Sequence, residues 1–116
     1  MTDADLIEAA RHGDRDAFGV LVERHQRMIE AVAFSAAGQR ALVDDVVQDT
    51  FVAAWQTLER LRDGSRVQPW LRGIARNLAR KARRRGKHEA PLRDHGADRT
   101  PFDAVSDRQR DDEVTR

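Results

Sequence analysis

At 116 residues the chain has room for one domain and a tail, and 40% hydrophobic with 35% charged residues supplies a small core under a heavily charged surface. The absence of cysteine excludes disulfides and thiolate metal sites, and no apolar run approaches the ~20 residues of a membrane span. The formal net charge is only +1, so any attraction for a polyanion must come from segregation of charge rather than from its sum.

The first predicted element is a helix from Thr2 to about His12. Thr2 and Asp5 have capping-box spacing, with Asp in place of the usual Glu. Leu6, Ile7, Ala9 and Ala10 supply its apolar stripe, and Gly13 ends it. Asp14 is the expected N-cap of a second helix that reaches about Phe34, with Gly38 beyond it as a breaker. Phe18, Leu21, Val22, His25, Met28, Ile29 and Val32 form its buried stripe. A third helix is expected from about Arg40 to Leu61. Val43, Val46, Val47, Thr50, Phe51, Ala54, Leu58 and Leu61 face inward, and Asp45, Gln48, Asp49, Val52 and Gln56 lie across from them. Leu61 to Gln68 is a loop by its Gly-Ser centre.

Pro69 opens the fourth helix, where its missing N–H costs nothing. Trp70, Leu71, Ile74, Ala75 and Leu78 share one face at three-and-four spacing. Arg72, Arg76, Arg80, Arg83 and Arg84 take the opposite face, and no acidic residue occurs between Val67 and His88. The plain alternative is a solvated basic surface. The unbroken sign, the lack of acidic partners four residues away and Asn77 at the edge of the face favour a nucleic acid. Apolar periodicity collapses from Gly86 onward, where Pro91, Gly96 and Pro101 punctuate a polar stretch. The expected architecture is therefore all-α. Residues 1–86 form a compact bundle of about four helices. Residues 87–116 form a linker or polar C-terminal tail, with a short, weak helix over 101–116.

The order of these features carries a resemblance. The acidic segment from Asp44 to Trp55, the short loop, and Trp70-Leu71 with Ile74-Ala75-Arg76-Asn77 together resemble region 2 of bacterial sigma factors of the extracytoplasmic-function (ECF) type. The likeness covers about Asp14 to Arg85. It implies a role in transcription initiation. The acidic third helix would dock on the coiled coil of the β′ subunit of RNA polymerase core through Asp45, Gln48, Asp49, Val52 and Gln56. The loop containing Arg62, Asp63, Gly64, Ser65 and Arg66 would capture a base flipped from the non-template strand of the promoter −10 element. Asn77 matches the family's Asn, and an amide reads a base edge with a donor and an acceptor together. Arg72, Arg76, Arg80, Arg83 and Arg84 would neutralise phosphates, giving affinity but little sequence information.

The chain also departs from the family's pattern. Its loop has no aromatic residue, where many relatives carry one. Trp70 is expected to anchor the helix in the core rather than to stack on a base, and Trp55 to be a half-buried anchor. Sigma factors of this type carry a second, helix-turn-helix domain, whereas this chain stops at Arg116 in a segment resembling the interdomain linker. The expectation is that it is a piece of a longer protein.

An enzyme is not expected. His12, His25, His88 and His95 lack metal-ligand spacing, no Gly-rich phosphate loop follows a strand, and no Ser or Cys nucleophile has an obvious base. No metal or other cofactor is expected. His25, among apolar neighbours, is read as a core or edge histidine. The opening Thr2, Asp3 and Asp5 are unlike a signal peptide, so the expected location is the cytoplasm. Two other classes compete: an interaction module held by an anti-sigma factor, and a non-specific nucleic-acid-binding helical protein. The acidic third helix argues against the second, because a DNA-coating protein gains nothing from a negative face beside its positive one.

Overall fold

Thr2 starts the first helix as its spacing predicts. Its Oγ1 accepts from the Asp5 N–H and its own N–H donates to Asp5 Oδ2, both at 3.1 Å, so two otherwise orphaned donors are satisfied reciprocally. The computed structural model describes residues 1–88, which hold four α-helices: α1 (Asp3–Arg11), α2 (Arg15–Ala37), α3 (Val43–Gln56) and α4 (Val67–His88). The polar tail beyond them, with the short helix expected over 101–116, lies outside the described residues. Among the described residues no helix is long and apolar enough to cross a membrane.

Asp14 caps α2 by accepting from the Ala17 N–H. The helix runs nearly one turn past Phe34, and Gly38 closes it at φ +73°, donating to the Phe34 carbonyl. This left-handed position is one that glycine takes without a side-chain penalty. The expected third helix is shorter than its periodicity indicated. A 3₁₀ turn over Arg40–Leu42 precedes it, and it ends at Gln56. Thr57 Oγ1 donates to the Ala53 carbonyl at 2.8 Å, and Leu58–Arg60 continues only as a second 3₁₀ turn. A third 3₁₀ turn, Gly64–Arg66, leads into α4. That helix begins two residues before Pro69, which still falls in the first turn where no N–H is required.

α2, α3 and α4 pack on one another, and α1 lies against α2 and the turn before α4. Alanine is prominent where they meet: Ala33, Ala53, Ala54, Ala75 and Ala79 are fully buried beside Leu21, Ile29, Ile74 and Leu78. Small side chains let helix axes approach, and each buried Leu or Ile contributes roughly 1.5–3 kcal/mol. α1 is also tied down by charge. Asp3 Oδ2 lies 2.9 Å from His25 Nε2, and Asp3 Oδ1 accepts from Arg24 at 3.0 Å. His25 is buried, as its apolar neighbours predicted, with its ring edge joined to α1.

Candidate nucleic-acid interface

Two surfaces of opposite character emerge from this packing. On α4, Leu71, Ile74, Ala75, Leu78, Ala79 and Ala82 are buried, which turns Arg76, Arg80, Arg83 and Arg84 outward to solvent. Arg72 and Asn77 are half-buried at the edges of the face. With a rise of 1.5 Å per residue, Arg76 to Arg84 spans about 12 Å along the helix.

The loop before α4 folds back against the start of this face and encloses a cleft of about 790 Å³. From the loop side come Arg60, Arg62, Asp63 and Arg66; from the helix side come Trp70, Gly73, Arg76, Asn77 and Arg80. Five arginines thus surround one carboxylate. Asp63 Oδ1 accepts from the Ser65 hydroxyl at 2.7 Å and the Ser65 N–H at 3.0 Å. These two bonds hold the Asp63 carboxyl below its ordinary pKa.

The expected site residues divide accordingly. Arg62, Asp63, Arg66, Arg76, Asn77 and Arg80 come together around the cleft. Arg83 and Arg84 extend its positive charge along the helix. Gly64 and Ser65 do not line it; they shape it. A Cβ on Gly64 would lie 3.0 Å from Ala4 Cα and 3.3 Å from Ile7 Cβ, so only glycine lets the loop press on α1. Trp70 is less completely a core anchor than its helical face implied. It is half-buried, packs against the core and also borders the cleft. Arg60, Trp70 and Gly73 line the cleft without any sequence signal that would place them there, because the cleft forms only when loop and helix meet.

α3 presents the second surface. Asp44, Asp45, Gln48 and Gln56 are exposed, and Val52 is half-buried. Between α2 and α3 runs a groove of about 550 Å³ in which Phe18 and Trp55 meet edge to face, centroids 5.1 Å apart. Gln48 and Val52 border this groove. Asp49 corrects the expectation of a common exposed face: it is only 3% exposed. α3 is buried on two sides, by α2 and by α4, so Val46, Asp49, Thr50 and Ala53 form an inward row at i, i+3, i+4 and i+7. The Asp49 carboxylate is engaged within the protein. Val43 and Val47, expected inward, are half-buried at the edge. Among the described residues no group of His, Asp or Glu side chains is arranged to hold a metal ion.

Comparisons with known proteins identify relatives of this chain. The Sigma-70 region 2 family matches residues 21–89. The chain is 43% identical over 88 residues to RNA polymerase sigma factor NccH of Alcaligenes xylosoxydans xylosoxydans, covering 72% of this chain and 47% of that protein. It is 44% identical over 80 residues to RNA polymerase sigma factor CnrH of Cupriavidus metallidurans, covering 67% and 42%. It is 35% identical over 80 residues to the ECF RNA polymerase sigma-E factor of Haemophilus influenzae, covering 69% and 42%. The chain therefore spans less than half the length of these relatives. No solved structure gives a significant match. The family is non-catalytic. The matched region contains α3, the loop and α4, and the chain belongs to the Sigma-70 region 2 family, with ECF sigma factors among its relatives.

Proposed function

We propose that this chain joins RNA polymerase core to a promoter and helps to open the −10 element in transcription initiation. The observation that carries the reading is the separation of two faces on different helices. The cleft and α4 gather arginines, whereas α3 exposes Asp44 and Asp45. The first face attracts a polyanion and the second repels it, so the second serves a protein partner.

In this reading Asp45, Gln48, Val52 and Gln56 dock on the coiled coil of the β′ subunit. Asp49 acts from inside, by fixing α3, rather than by touching polymerase. Arg76, Arg80, Arg83 and Arg84, with Arg72 at the edge, neutralise phosphates of the −10 region. The cleft between the loop and Asn77 holds one base displaced from the non-template strand. Extruding a base costs a few kcal/mol, and stacking plus hydrogen bonding in a pocket offset it. No covalent step is involved; binding energy is the output.

The test is binding of the full chain to the isolated β′ coiled-coil fragment beside an Asp45→Arg/Gln48→Arg variant. Tight binding that the variant loses, with helicity unchanged, supports the reading. Absence of binding by the folded parent chain overturns it and leaves a nucleic-acid-binding helical module.

A further inference from the structure

Resting on the reading of the cleft as the nucleic-acid surface, we infer that Asp3 and His25 are positioning residues for the loop beside it: their contact fixes α1 on α2, and α1 in turn sets the loop. His25 lies in the apolar stripe of α2 between Leu21 and Ile29, and it is only 7% exposed. Packing alone would be served by another leucine there; the histidine adds a directional bond. Its Nε2 lies 2.9 Å from Asp3 Oδ2, across 22 residues of sequence. An ionised carboxylate only accepts, so the ring nitrogen beside it carries the proton. Arg24 donates to the second oxygen, Asp3 Oδ1, at 3.0 Å. Both oxygens of one carboxylate are thus held by consecutive residues of α2.

The position of α1 depends on such contacts. With 9 residues it is too short to be stable alone, and it fully buries only Leu6, Ile7 and Ala10. Asp3 is its first residue, in the turn that the Thr2–Asp5 box makes rigid. A bond to Asp3 therefore holds the helix itself and not a fraying end. The next residue, Ala4, is where the loop rests: a Cβ on Gly64 would stand 3.0 Å from Ala4 Cα and 3.3 Å from Ile7 Cβ. Gly64 opens the 3₁₀ turn Gly64–Arg66. Asp63 just before that turn and Arg66 at its end both line the cleft. His25, Asp3, Ala4 and Gly64 thus form a continuous line of contact from the core side of α2 to the cleft wall.

The experiment follows hydrogen exchange in the full chain at the Ser65, Arg66 and Val67 amides, which are bonded within the turn, with α3 amides as the internal reference. Asp3→Ala removes the acceptor, and the Asp3 side chain is 28% exposed, so no core volume is lost. Exchange in the turn should quicken about tenfold, the factor expected of one charge-assisted hydrogen bond, while α3 keeps the parent's rate. His25→Leu should act alike, and His25→Gln, whose terminal N–H takes the place of the ring N–H, should restore most of the protection. Titration with a fluorescent single-stranded oligonucleotide should show affinity falling in Asp3→Ala by no more than the same factor, and recovering in His25→Gln relative to His25→Leu. Exchange at the parent rate in Asp3→Ala, or a rise shared equally with α3, overturns the proposal. A freed loop with undiminished DNA affinity overturns its bearing on the site. No DNA binding by the parent chain, with the loop still freed by Asp3→Ala, removes the nucleic-acid reading of the cleft and leaves the positioning of the loop standing.

Discussion

Gly64 in the loop rests directly on Ala4 of α1, with room for no side chain between them: a Cβ there would stand 3.0 Å from the Ala4 backbone. The first helix is thereby a support for the loop that borders the cleft. The Asp3 contacts to Arg24 and His25 hold that support in place.

Gly64→Val should accordingly push the loop off α1 and reshape the cleft. Overpacking of this kind costs about 1–3 kcal/mol. Affinity for single-stranded DNA should fall, while binding to the β′ fragment, which the proposed function assigns to α3, should stay within about twofold. Urea unfolding with both binding measurements checks the pair of outcomes. An equal loss of both would show that Gly64 supports the whole bundle and not the loop in particular.

Local chemistry made much of this fold legible. The Thr2 box, the Asp14 cap and Gly38 act through neighbours in sequence, and each took its expected place. The basic and apolar faces of α4 were equally plain from spacing. Asp49 departs from its pattern, because hydropathy assigns a carboxylate outward, whereas a helix clasped on two sides buries some polar positions with their partners. The third helix ends short of its apolar periodicity, where the bond from Thr57 to the Ala53 carbonyl competes locally with continued helix. Arg62, Asp63 and Arg66 were legible as loop residues, and Asn77 by family likeness. The participation of Gly73 and Trp70 was not, since a cleft between separate segments leaves no periodic trace.

Arg76→Glu with Arg80→Glu reverses two charges on the cleft side of α4, both exposed and outside the core. Promoter opening should be lost and polymerase binding retained. Partial neutralisation with Ala at both positions should also reduce the slope of log affinity against log salt by about 2, roughly one unit for each phosphate no longer neutralised. A salt titration of DNA binding measures the slope. An unchanged slope would remove both arginines from the phosphate path.

Asn77→Ala should relax preference at one −10 position by roughly 1–3 kcal/mol, the worth of a good amide contact to a base edge. Asn77 is half-buried on the cleft, next to Arg76 and one turn from Gly73. Competition between promoter variants for the polymerase-bound chain reads the preference directly. Uniform weakening across all sequences would make Asn77 a positioning residue instead.

Acid should unlatch the loop late. The Ser65 hydroxyl and N–H hold the Asp63 pKa below its ordinary value, and Thr2 does the same for Asp5. A depressed folded-state pKa contributes stability above the unfolded value, about 4, and that contribution disappears as pH falls through the folded value. Thermal stability should therefore hold flat from neutral pH to about 5 with respect to these groups and decline below about 4. Asp63→Asn should remove part of that decline, and it should do so by lowering the plateau at neutral pH slightly, because the contribution of the ionised carboxylate is then missing at every pH. Identical acid profiles for the two proteins would show that the loop latch does not depend on the charge of Asp63.

Asp45 and Asp49 stand one turn apart on α3 and should respond to substitution in opposite ways. Asp45 is exposed and Asp49 is 3% exposed with its carboxylate engaged inside. Asp45→Arg changes only a surface charge, so stability should move by no more than ~0.5 kcal/mol. Binding to the β′ coiled coil should nevertheless fall, because the proposed docking sets the reversed charge against the partner. Asp49→Ala should cost at least ~1 kcal/mol by leaving buried groups without their acceptor, and Asp49→Arg should prevent folding by placing a long cation where no volume exists. Circular dichroism and urea unfolding separate the two effects from binding. A folded Asp49→Ala protein with full stability but no polymerase affinity would reverse the assignment and make Asp49 a contact residue exposed by motion of α3.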